Sequence, residues 1–515
     1  MCSWLGRWTL LVLLLVCSMH SVAFGNDKDR KPVHSQLWGQ TGEQWTPTSR
    51  LPDFSYAGYH RGERPLPNTK ADVSVKEFGA VGDGKSDDSE AFQKAIDASG
   101  GKTIAVPPGA YVITKMLSVK QSSTVLQGAG PDRSILRFVT PLNDIKPNWG
   151  ATTTGRRTSN YSWSGGFIAV SGSFPRKKLA EVTKATKRGD TSLIVSSVKQ
   201  LNVGDSLRLT LSETHDQSLA KYLYSNDSGK IDKLGNRASV TFVARVTAIE
   251  KELNKITLDR PLRTDIQLRW KPTIYSARSS VEEAGIEGLG FEFPPIPYEG
   301  HFTELGFNAI ALSGTRNCWL RNLRILNADS GIFLHGINTT AENIVFESQR
   351  KVEPKRKATG HHGVTLGGQD NLLTSFDFRT RFMHDITVTR GSAGNVAASG
   401  RGIDLCFDHH CHAPHANLFT SIDLGKGSRM FQSGGGAALG RHAASWTTFW
   451  GIQSAKLQSW PKDWGPDQMN MVGVKSTEPA SVGQGRWIEP INPQELTPMN
   501  LYQAQLERRL AKESK

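Results

Sequence analysis

The stretch VSVKEFGAVGDGKSDDSEAFQKAIDASGGKTIAVPPGAYVI, from Val73 to Ile113, alternates strand, turn and helix signals in close succession. Asp87 can cap a helix with Glu90 three positions later, and Gly100-Gly101 can end it. The apolar face of that helix consists of Ala91, Phe92, Ala95 and Ile96. The stretch therefore predicts strands on both sides of a short amphipathic helix, and the ordered region is expected to begin here.

This stretch also resembles the N-terminal signature of the pectate lyase superfamily, in which such a segment precedes a parallel β-helix. The matching residues are Phe78-Gly79-Ala80, Gly82-Asp83-Gly84, Asp87-Asp88, Ala91-Phe92, Ala95-Ile96, Val106-Pro107-Pro108-Gly109 and Tyr111. The resemblance implies a fold and leaves the reaction open. A Ca²⁺ loop over residues 83–88 is the competing interpretation, but the aspartates lack the EF-hand spacing and its terminal bidentate acid.

Internal repeats appear after Ile286. Four segments share a small–aliphatic–variable–Leu pattern that predicts equivalent strands on successive coils: Ala309–Leu312, Gly331–Leu334, Gly363–Leu366 and Gly402–Leu405. A second column of strands is predicted at Leu320–Leu323, Ala341–Ile344, Leu373–Phe376 and Thr420–Ile422. We therefore expect an all-β chain, a right-handed parallel β-helix solenoid with an N-terminal capping helix, a small β-rich insertion and a C-terminal helix.

Composition divides the chain into six segments. Residues 1–25 are predicted to be a secretory signal peptide, because Arg7 precedes an apolar run and small residues follow it. That run is shorter than the ~20 residues that span a bilayer, so an uncleaved anchor is the less favoured alternative. The remaining segments are an irregular leader (26–70), the N-terminal part of the β-helix (71–171), a β-rich insertion (172–272), the main coils (273–480) and a tail with a helix (481–515). We expect a secreted or periplasmic protein without stable membrane insertion after cleavage.

The net charge of the chain bears on its binding partner. Lys and Arg number 62 against 48 for Asp and Glu, a formal net charge of +14, which favours an anionic partner or simply a solubilising surface. Export makes an acidic polysaccharide a better partner than nucleic acid, and the oligomeric state stays open.

Without its signal peptide the chain keeps Cys318, Cys406 and Cys411, so a Cys406–Cys411 bridge and buried thiols both remain open.

Histidines concentrate between His335 and His442. Side chains alternate across a strand and coils stack about 4.8 Å apart, so distant side chains can converge on one outer face. The outer columns are predicted to hold Ala311, Phe333, Thr365 and Asp404, then Ser313, His335, Gly367 and Cys406, with Asn308, Ser330, His362 and Arg401 in the preceding turn. The catalytic candidates are His362, His409, His410, Asp408, Arg441 and His442. The substrate-binding candidates are His335, His361, His384, Arg401, Asp404 and His412.

Three explanations of this concentration stay open. The side chains can transfer protons while cationic neighbours neutralise a uronate carboxylate, as β-elimination requires. They can instead bind Ca²⁺ through aspartates or a transition metal through His and Asp, although no compact zinc motif such as HExxH occurs. In the third explanation, stacked His and Asp merely satisfy one another. No cofactor is therefore certain from the sequence.

The leading functional hypothesis is a polysaccharide lyase that cleaves an acidic, uronate-containing or sulfated glycan by β-elimination. His362, His409 or His410 would exchange the proton, and Arg401 and Arg441 would bind the carboxylate through their planar guanidinium groups. The pair Arg441-His442 is similar to an Arg-His motif of alginate lyases, but the partner lysine motif of that family is not recognisable.

Two other hypotheses are retained. A glycoside hydrolase would use two carboxyl groups, Asp404 with Asp408 or Asp385 with Asp408. The resemblance to polygalacturonases of glycoside hydrolase family 28 is limited to Gly360-His361-His362-Gly363, because their other motifs have no convincing counterpart here. A non-catalytic carbohydrate-binding or surface-attachment protein is the third hypothesis, since a solenoid presents long binding faces whatever its chemistry.

Overall fold

The computed structural model describes residues 31–352, 357–436 and 438–513. The predicted signal peptide lies outside them. Within them the parallel β-helix prediction is confirmed, because two sheets of mostly parallel strands run side by side along a solenoid. Among the described residues, no helix combines the length and apolarity needed to cross a membrane.

The long sheet contains fifteen strands. In spatial order, twelve of them are Val73–Ser74, Thr103–Val106, Val125–Gly128, Gly285–Glu292, Trp319–Leu326, Thr340–Glu347, Leu372–Phe378, Val396–Gly402, Leu418–Asp423, Thr448–Gln453, Asn470–Val474 and Trp487–Glu489. Three further strands branch from this path: Asp83–Asp87, Gly109–Ile113 and Ser134–Phe138.

The short sheet contains seven strands and carries most of the predicted chemistry. Its strands are Leu117–Val119, Ile168–Ser171, Asn308–Arg316, Ser330–Ile337, Gly360–Leu366, Phe382–Val388 and Phe407–His409. One inward column stays in register over the last six of them and has no exposed surface: Ile168, Ile310, Ile332, Val364, Ile386 and Phe407. This column belongs to the core that fills the solenoid.

The repeat alignment is correct for the first three coils and wrong for the fourth. Gly402 ends a strand of the long sheet, and Ile403 is 52% exposed, so the segment Gly402–Leu405 is not a rung of the short sheet. The column continues instead through Phe382–Val388 and Phe407–His409. The outer column therefore runs from Phe333 and Thr365 to residues that the alignment did not place there, Thr387 and Asp408.

The second column shows a related omission. Leu320, Ala341 and Leu373 are in register as predicted, but the next partner is Ala397, one coil earlier than expected. Phe419 then pairs with Ala397. The missed strand carries a small residue where its neighbours carry Leu or Phe, so its sequence gives a weak periodic signal.

The N-terminal helix is confirmed at Ser89–Ala98, with its predicted apolar face buried. The predicted cap is displaced by one residue, because Asp88 is the N-cap and its carboxylate accepts from the backbone N–H groups of Val81 and Gly82. Asp87 accepts from the N–H of Ser89. The paired aspartates of the signature therefore tie the preceding turn to the start of the helix.

The insertion is confirmed as β-rich. Its antiparallel sheet comprises Lys178–Glu181, Ser192–Ile194, Ser206–Ser212, Ser239–Glu250, Lys255–Leu258 and Thr273–Ser276. It has its own apolar core. Buried Arg260 and Arg263 join it to the solenoid by pairing with the buried carboxylate of Asp370. A two-stranded hairpin, Trp149–Ala151 with Arg157–Ser159, projects from the coil that precedes the insertion.

The C-terminal helix is confirmed at Leu501–Glu513. Its apolar side packs on leader residues such as Trp38 and Phe54 and on the long sheet at Leu418. The carboxamide of Gln505 accepts from the N–H of Phe54, which fixes the leader against the helix. Further short helices lie at Leu142–Ile145 and Ser218–Leu223, with 3-10 turns at Tyr59–Gly62, Val75–Phe78, Asn160–Ser162, Gly235–Arg237 and Leu268–Trp270.

The three described cysteines are free and buried, so no Cys406–Cys411 bridge forms. The thiol of Cys406 instead lies 3.4 Å from the backbone nitrogen of Asp385. The thiol of Cys411 lies 3.8 Å from Nδ1 of His442. Of the two readings that the sequence left open, the structure therefore shows buried thiols.

Candidate active site

Five histidines meet at the outer side of the last rungs of the short sheet, and we call them the histidine cluster: His301, His361, His362, His384 and His410. His362 and His384 are register partners on neighbouring strands, and their ring centroids are 5.1 Å apart. Parallel stacking of rungs therefore brings together residues 22 positions apart in the chain.

Asp408 is the anionic centre of this region and is fully buried. Its carboxylate accepts from the Thr387 hydroxyl at 3.0 Å and from the Gly434 N–H at 2.7 Å. Nδ1 of His410 lies 3.0 Å from it, and Nδ1 of His384 lies 3.5 Å away. Burial alone would raise the pKa of Asp408, but these imidazoles and hydrogen bonds hold it well below its usual range.

His410 is the member of the cluster that combines a carboxylate partner with access to solvent. A third of its side chain is exposed, while Asp408 holds its Nδ1. Burial lowers the pKa of His410, but the charge of Asp408 and the hydrogen bond to it outweigh burial, and the net shift is upward. A carboxylate that orients an imidazole is the arrangement found in general acid–base catalysis.

The other rings of the cluster are held in their neutral form. Burial, reinforced by neighbouring imidazoles, lowers the pKa of His361 and His362 well below the usual value. Burial also lowers the pKa of His384 to about 4. Neutral imidazoles can accept a proton or donate a lone pair to a cation. Two groups of three could hold a metal ion: His301, His361 and His384, or His384, Asp408 and His410.

The loop between Glu292 and Asn308 supplies His301 and a buried carboxylate, Glu304. Glu304 accepts from the Ser162 hydroxyl at 2.6 Å and the Tyr298 hydroxyl at 2.8 Å, and lies 3.1 Å from Nδ1 of His361. Burial raises the pKa of Glu304.

The C-terminal end of the same loop is fixed by a second buried carboxylate. Asp329 accepts from three consecutive backbone N–H groups at residues 305, 306 and 307, and it is also paired with Arg350. The loop that carries His301 is therefore anchored at both of these carboxylates.

Glycine is required where the loop that follows Phe431 crosses the cluster. A methyl group at Gly434 would lie 2.7 Å from Cε1 of His410 and 2.8 Å from Cε1 of His384, closer than such contacts allow. The N–H of Gly434 also donates to Asp408. The loop therefore packs directly on both imidazoles.

Two exposed arginines border the cluster and have no carboxylate partner among the described residues: Arg156 and Arg390. Arg156 of the hairpin lies over the ring of Phe302, 5.4 Å from its centroid, next to His301. The positive charge of Arg390 acts to lower the pKa of His335, His410 and His412. These guanidinium groups can bind an anionic ligand without first breaking an internal ion pair.

Two predicted substrate-binding histidines lie beside the cluster rather than in it. His335 is on the Ser330–Ile337 strand, with its ring 6.3 Å from that of Phe333, and burial lowers its pKa to about 4. His412 is half-buried in the turn after Cys411, and burial, with the nearby arginine charges, also lowers its pKa to about 4.

His409 is placed in the core, which corrects its prediction as a catalytic residue. It alternates with Asp408 along the strand, so its side chain points inward, among the rings of Phe419, Phe449 and Trp464. Its relative exposure is 0%. Alternation along one strand thus separates two neighbours that the sequence treated as one group.

The Arg441-His442 pair is also not part of the histidine cluster, because both side chains have other partners. The guanidinium of Arg441 is occupied by Asp227 of the insertion at 2.5 Å and by Asp463 at 3.2 Å. Nδ1 of His442 lies 3.1 Å from the carbonyl oxygen of His409. Arg441 therefore joins the insertion to the coils, a structural role in place of the predicted carboxylate clamp.

Arg401 and Asp404 correct the remaining predictions. Arg401 belongs to the long sheet, where it is exposed and paired with Asp377 at 2.9 Å. Asp404 is buried and accepts from the N–H and hydroxyl of Ser428. Neither shares the outer face of His362, because the segment that contains them was assigned to the wrong rung.

The carboxylates that a hydrolase would need are all engaged. Asp385 is fully buried, pairs with Arg429 and accepts from the N–H of Cys406. Asp404 and Asp408 are buried as described above. None of these three carboxylates has the solvent access that a general acid, base or nucleophile requires.

Sequence reasoning missed His301, Glu304, Arg156 and Arg390. The first two lie in a long loop without strand periodicity, and the arginines lie in a hairpin and a turn. Their only sequence signal is position, since the loops of a solenoid flank its working face.

The N-terminal region also matches a family model. Residues 73–159 match the model described as rhamnogalacturonase A/epimerase, pectate lyase-like. The chain folds as a right-handed parallel β-helix, and its start is similar to the pectate lyase-like family. The match ends well before the histidine cluster, so it accounts for the start of the pectate lyase-like fold and leaves the site unassigned.

Curated relatives match only a short part of the chain. The pre-neck appendage protein of Bacillus phage B103 is 38% identical over 98 residues, 18% of this chain and 11% of that protein. Mannuronan C5-epimerase AlgE3 of Azotobacter vinelandii is 35% identical over 103 residues, 18% of this chain and 6% of the epimerase. The chain thus covers only a small part of either relative.

Among solved structures, the tailspike protein gp49 of Pseudomonas phage LKA1 aligns over 78% of this chain and 63% of its own, with a TM-score of 0.41 and 13% identity. The fold assignment stands on the strand register described above.

Proposed function

We propose that this protein is an exported carbohydrate-active enzyme that acts on an anionic, uronate-containing polysaccharide by proton transfer at the carbon next to the carboxylate. The observation that carries the proposal is the arrangement of His410. Asp408 orients it, a third of its side chain is exposed, and Arg390 lies nearby without a carboxylate partner among the described residues.

The first chemical step needs a base and a cation. The hydrogen on the carbon next to a uronate carboxylate is weakly acidic, and a positive charge on the carboxylate stabilises the carbanion that forms. Arg390 and Arg156 can supply that charge, and an imidazole of the cluster can accept the proton. His301 and His410 are the partly exposed imidazoles of the cluster, because His361, His362 and His384 are each no more than 4% exposed. Of these two, His410 is the one that the carboxylate of Asp408 orients.

Elimination completes the reaction in our proposal. The electron pair left on that carbon forms a double bond to the next carbon, the glycosidic C–O bond there breaks, and the leaving oxygen takes a proton. A C5-epimerase would begin with the same proton abstraction but return a proton to the opposite face. The partial likeness to a mannuronan C5-epimerase supports uronate chemistry and leaves the second half of the reaction to experiment.

The test is a panel of polymannuronate, polygalacturonate and sulfated uronate polymers incubated with the purified protein. Rising ultraviolet absorbance from the conjugated double bond is the expected result, and His410→Ala should abolish it. His442→Ala is the matched control, since His442 is also partly exposed but has no carboxylate partner in the described part of the chain.

Other outcomes would replace the proposal. New reducing ends without absorbance would indicate hydrolysis, and an altered C5 configuration without cleavage, seen by NMR, would indicate epimerisation. Binding that is not followed by any turnover, and that persists in His410→Ala, would indicate a carbohydrate-binding protein.

A further inference from the structure

Three histidines from separate parts of the chain direct nitrogens at one another. His301, His361 and His384 each offer a ring nitrogen, and these atoms all lie within 4.8 Å of one another. We propose that these three histidines bind a tetrahedral transition-metal ion, with Zn²⁺ the best fit. Three protein ligands plus an open fourth position is the composition of a catalytic zinc site.

One nitrogen–nitrogen distance agrees with that geometry. Nε2 of His301 and Nε2 of His384 are 3.3 Å apart. Zn–N bonds of about 2.0–2.1 Å at tetrahedral angles place ligand nitrogens about 3.3–3.4 Å apart. A single hydrogen bond between two imidazoles could explain this pair alone. It would not explain the third ring, since His361 also offers a nitrogen within 4.8 Å of the other two.

Carboxylates face the Nδ1 atoms of two of these rings. Glu304 lies 3.1 Å from Nδ1 of His361, and Asp408 lies 3.5 Å from Nδ1 of His384. Histidine ligands of metals commonly direct their second nitrogen to a carboxylate, which fixes the ring and increases its basicity. Neither Nδ1 makes a hydrogen bond of good geometry in the described structure, although both are buried. Two of the three histidines, His361 and His384, therefore each have a carboxylate beside the ring.

The fourth position would open toward the loop that carries His301. His361 and His384 are both 3% exposed, whereas His301 is half-buried. A cation held there could coordinate an oxygen of the polymer. This last step rests on the proposed function, because the cation would then join the arginines in neutralising the uronate carboxylate.

A competing set shares one residue with the proposed site. His384, Asp408 and His410 also offer atoms within 4.8 Å of one another. Asp408 is already committed to the Thr387 hydroxyl and the Gly434 N–H, and its contact with His410 explains the position of that ring without a metal. The set centred on His301 therefore fits better.

The experiment measures metal binding on the whole protein without substrate. The protein is stripped with a chelator, dialysed against buffered Zn²⁺ and analysed by mass spectrometry of the metal content. One Zn²⁺ per chain is expected, and Co²⁺ should give the intense visible bands of a tetrahedral site. His301→Ala should lose stoichiometric binding, and it replaces a half-buried loop residue, so the fold is expected to survive. His335→Ala, a neighbouring imidazole outside the set, is the matched control.

Three results would overturn the site. Wild-type protein could bind no Zn²⁺ or give only the weak bands of octahedral Co²⁺. Equal loss in His335→Ala and His301→Ala would make the binding nonspecific. Loss in His410→Ala with retention in His301→Ala would move the ion to the competing set. Because no substrate is present, turnover of polysaccharide and binding of metal can each fail alone.

Discussion

Two stacks of polar side chains lie along this solenoid, and they differ in how far their hydrogen-bonding groups are satisfied. Asn371, Asn395 and Asn417 each precede a strand of the long sheet and form an asparagine ladder. Each carboxamide oxygen of Asn395 and Asn417 accepts from both the backbone and the side chain of the preceding asparagine, at 3.0–3.1 Å. Their amide groups also donate to carbonyl oxygens of neighbouring coils.

The histidine cluster lacks this mutual satisfaction. Nδ1 of His361 and Nδ1 of His384 are buried without a hydrogen-bond partner of good geometry in the described structure. Buried polar groups that are left unsatisfied cost stability, whereas a satisfied stack rigidifies the fold. The difference teaches that polarity in a solenoid is structural where every donor meets an acceptor. In the cluster, ring nitrogens from separate segments of the chain also converge, and this convergence indicates a site.

The largest expected effect is on catalysis, and it should follow a substitution in the histidine cluster. His410→Ala should lower kcat on the accepted uronate polymer by about 10²–10⁴-fold, the usual contribution of a positioned acid or base. Its unfolding midpoint in urea should fall only slightly, because the buried Asp408 keeps the Thr387 hydroxyl and the Gly434 N–H as donors. Initial rates and urea curves on the same preparation check both. If the midpoint falls steeply together with the rate, the cluster is structural and the contrast between the stacks disappears.

The reciprocal substitution acts on the ladder. Asn395→Ala removes a carboxamide that accepts from Asn371 and donates to Gly368 and Asn417. At about 1–3 kcal/mol for each buried partner left unsatisfied, we expect a loss of roughly 3 kcal/mol in the free energy of unfolding. The exposed Asn236→Ala, at a position with a φ of −88°, is the control, with a change within about 0.5 kcal/mol. Activity per folded molecule should not change in either variant. A ladder variant as stable as its control would contradict the structural role.

A third test concerns His409, the histidine in the core, and the pH dependence of the free energy of unfolding. Burial lowers the pKa of His409 to about 4, against about 6.5 in an unfolded chain. Between these values the unfolded state binds more protons, so the free energy of unfolding falls as the pH decreases through this window. The contribution of His409 should be up to roughly 3 kcal/mol. His409→Phe should remove that part of the acid sensitivity.

Urea unfolding of His409→Phe and wild type at neutral and mildly acidic pH measures this difference. His442→Phe, at a half-buried position, is the comparison. An unchanged pH dependence in His409→Phe would show that His409 is not held neutral in the core, and would place it with the cluster after all.

The smallest expected effect concerns the arginines at the border of the cluster. Arg390→Ala should raise KM for the uronate polymer by about tenfold, the scale of one charge-assisted hydrogen bond of about 1.5 kcal/mol. Arg401→Ala should leave KM unchanged, because Arg401 is on the long sheet and paired with Asp377. Equal effects of the two substitutions would mean that general positive charge, and no defined site, attracts the substrate.

Much of the candidate site was predictable and part of it was not. The aliphatic repeat located Ile310, Ile332 and Val364 and thereby the outer positions of Phe333 and Thr365. It failed at Gly402–Leu405, because four residues of a common pattern can occur by chance in a turn. The true rung at Phe382–Val388 has Asp385 where the pattern expects a small residue and Val388 where it expects a leucine. The error moved Asp404 into the site and left Thr387 out of it.

The sequence by itself determined the solenoid and the region of its chemistry. Strand periodicity and the signature from Val73 to Ile113 report local preferences, which are encoded within a few residues. Only the tertiary structure decided which polar side chains share a surface. Whether His409 points inward while His410 points outward depends on register, and whether His301 meets His384 depends on a loop anchored by Glu304 and Asp329. Contacts between residues 83 positions apart arise from chain closure in space, and no local pattern records them.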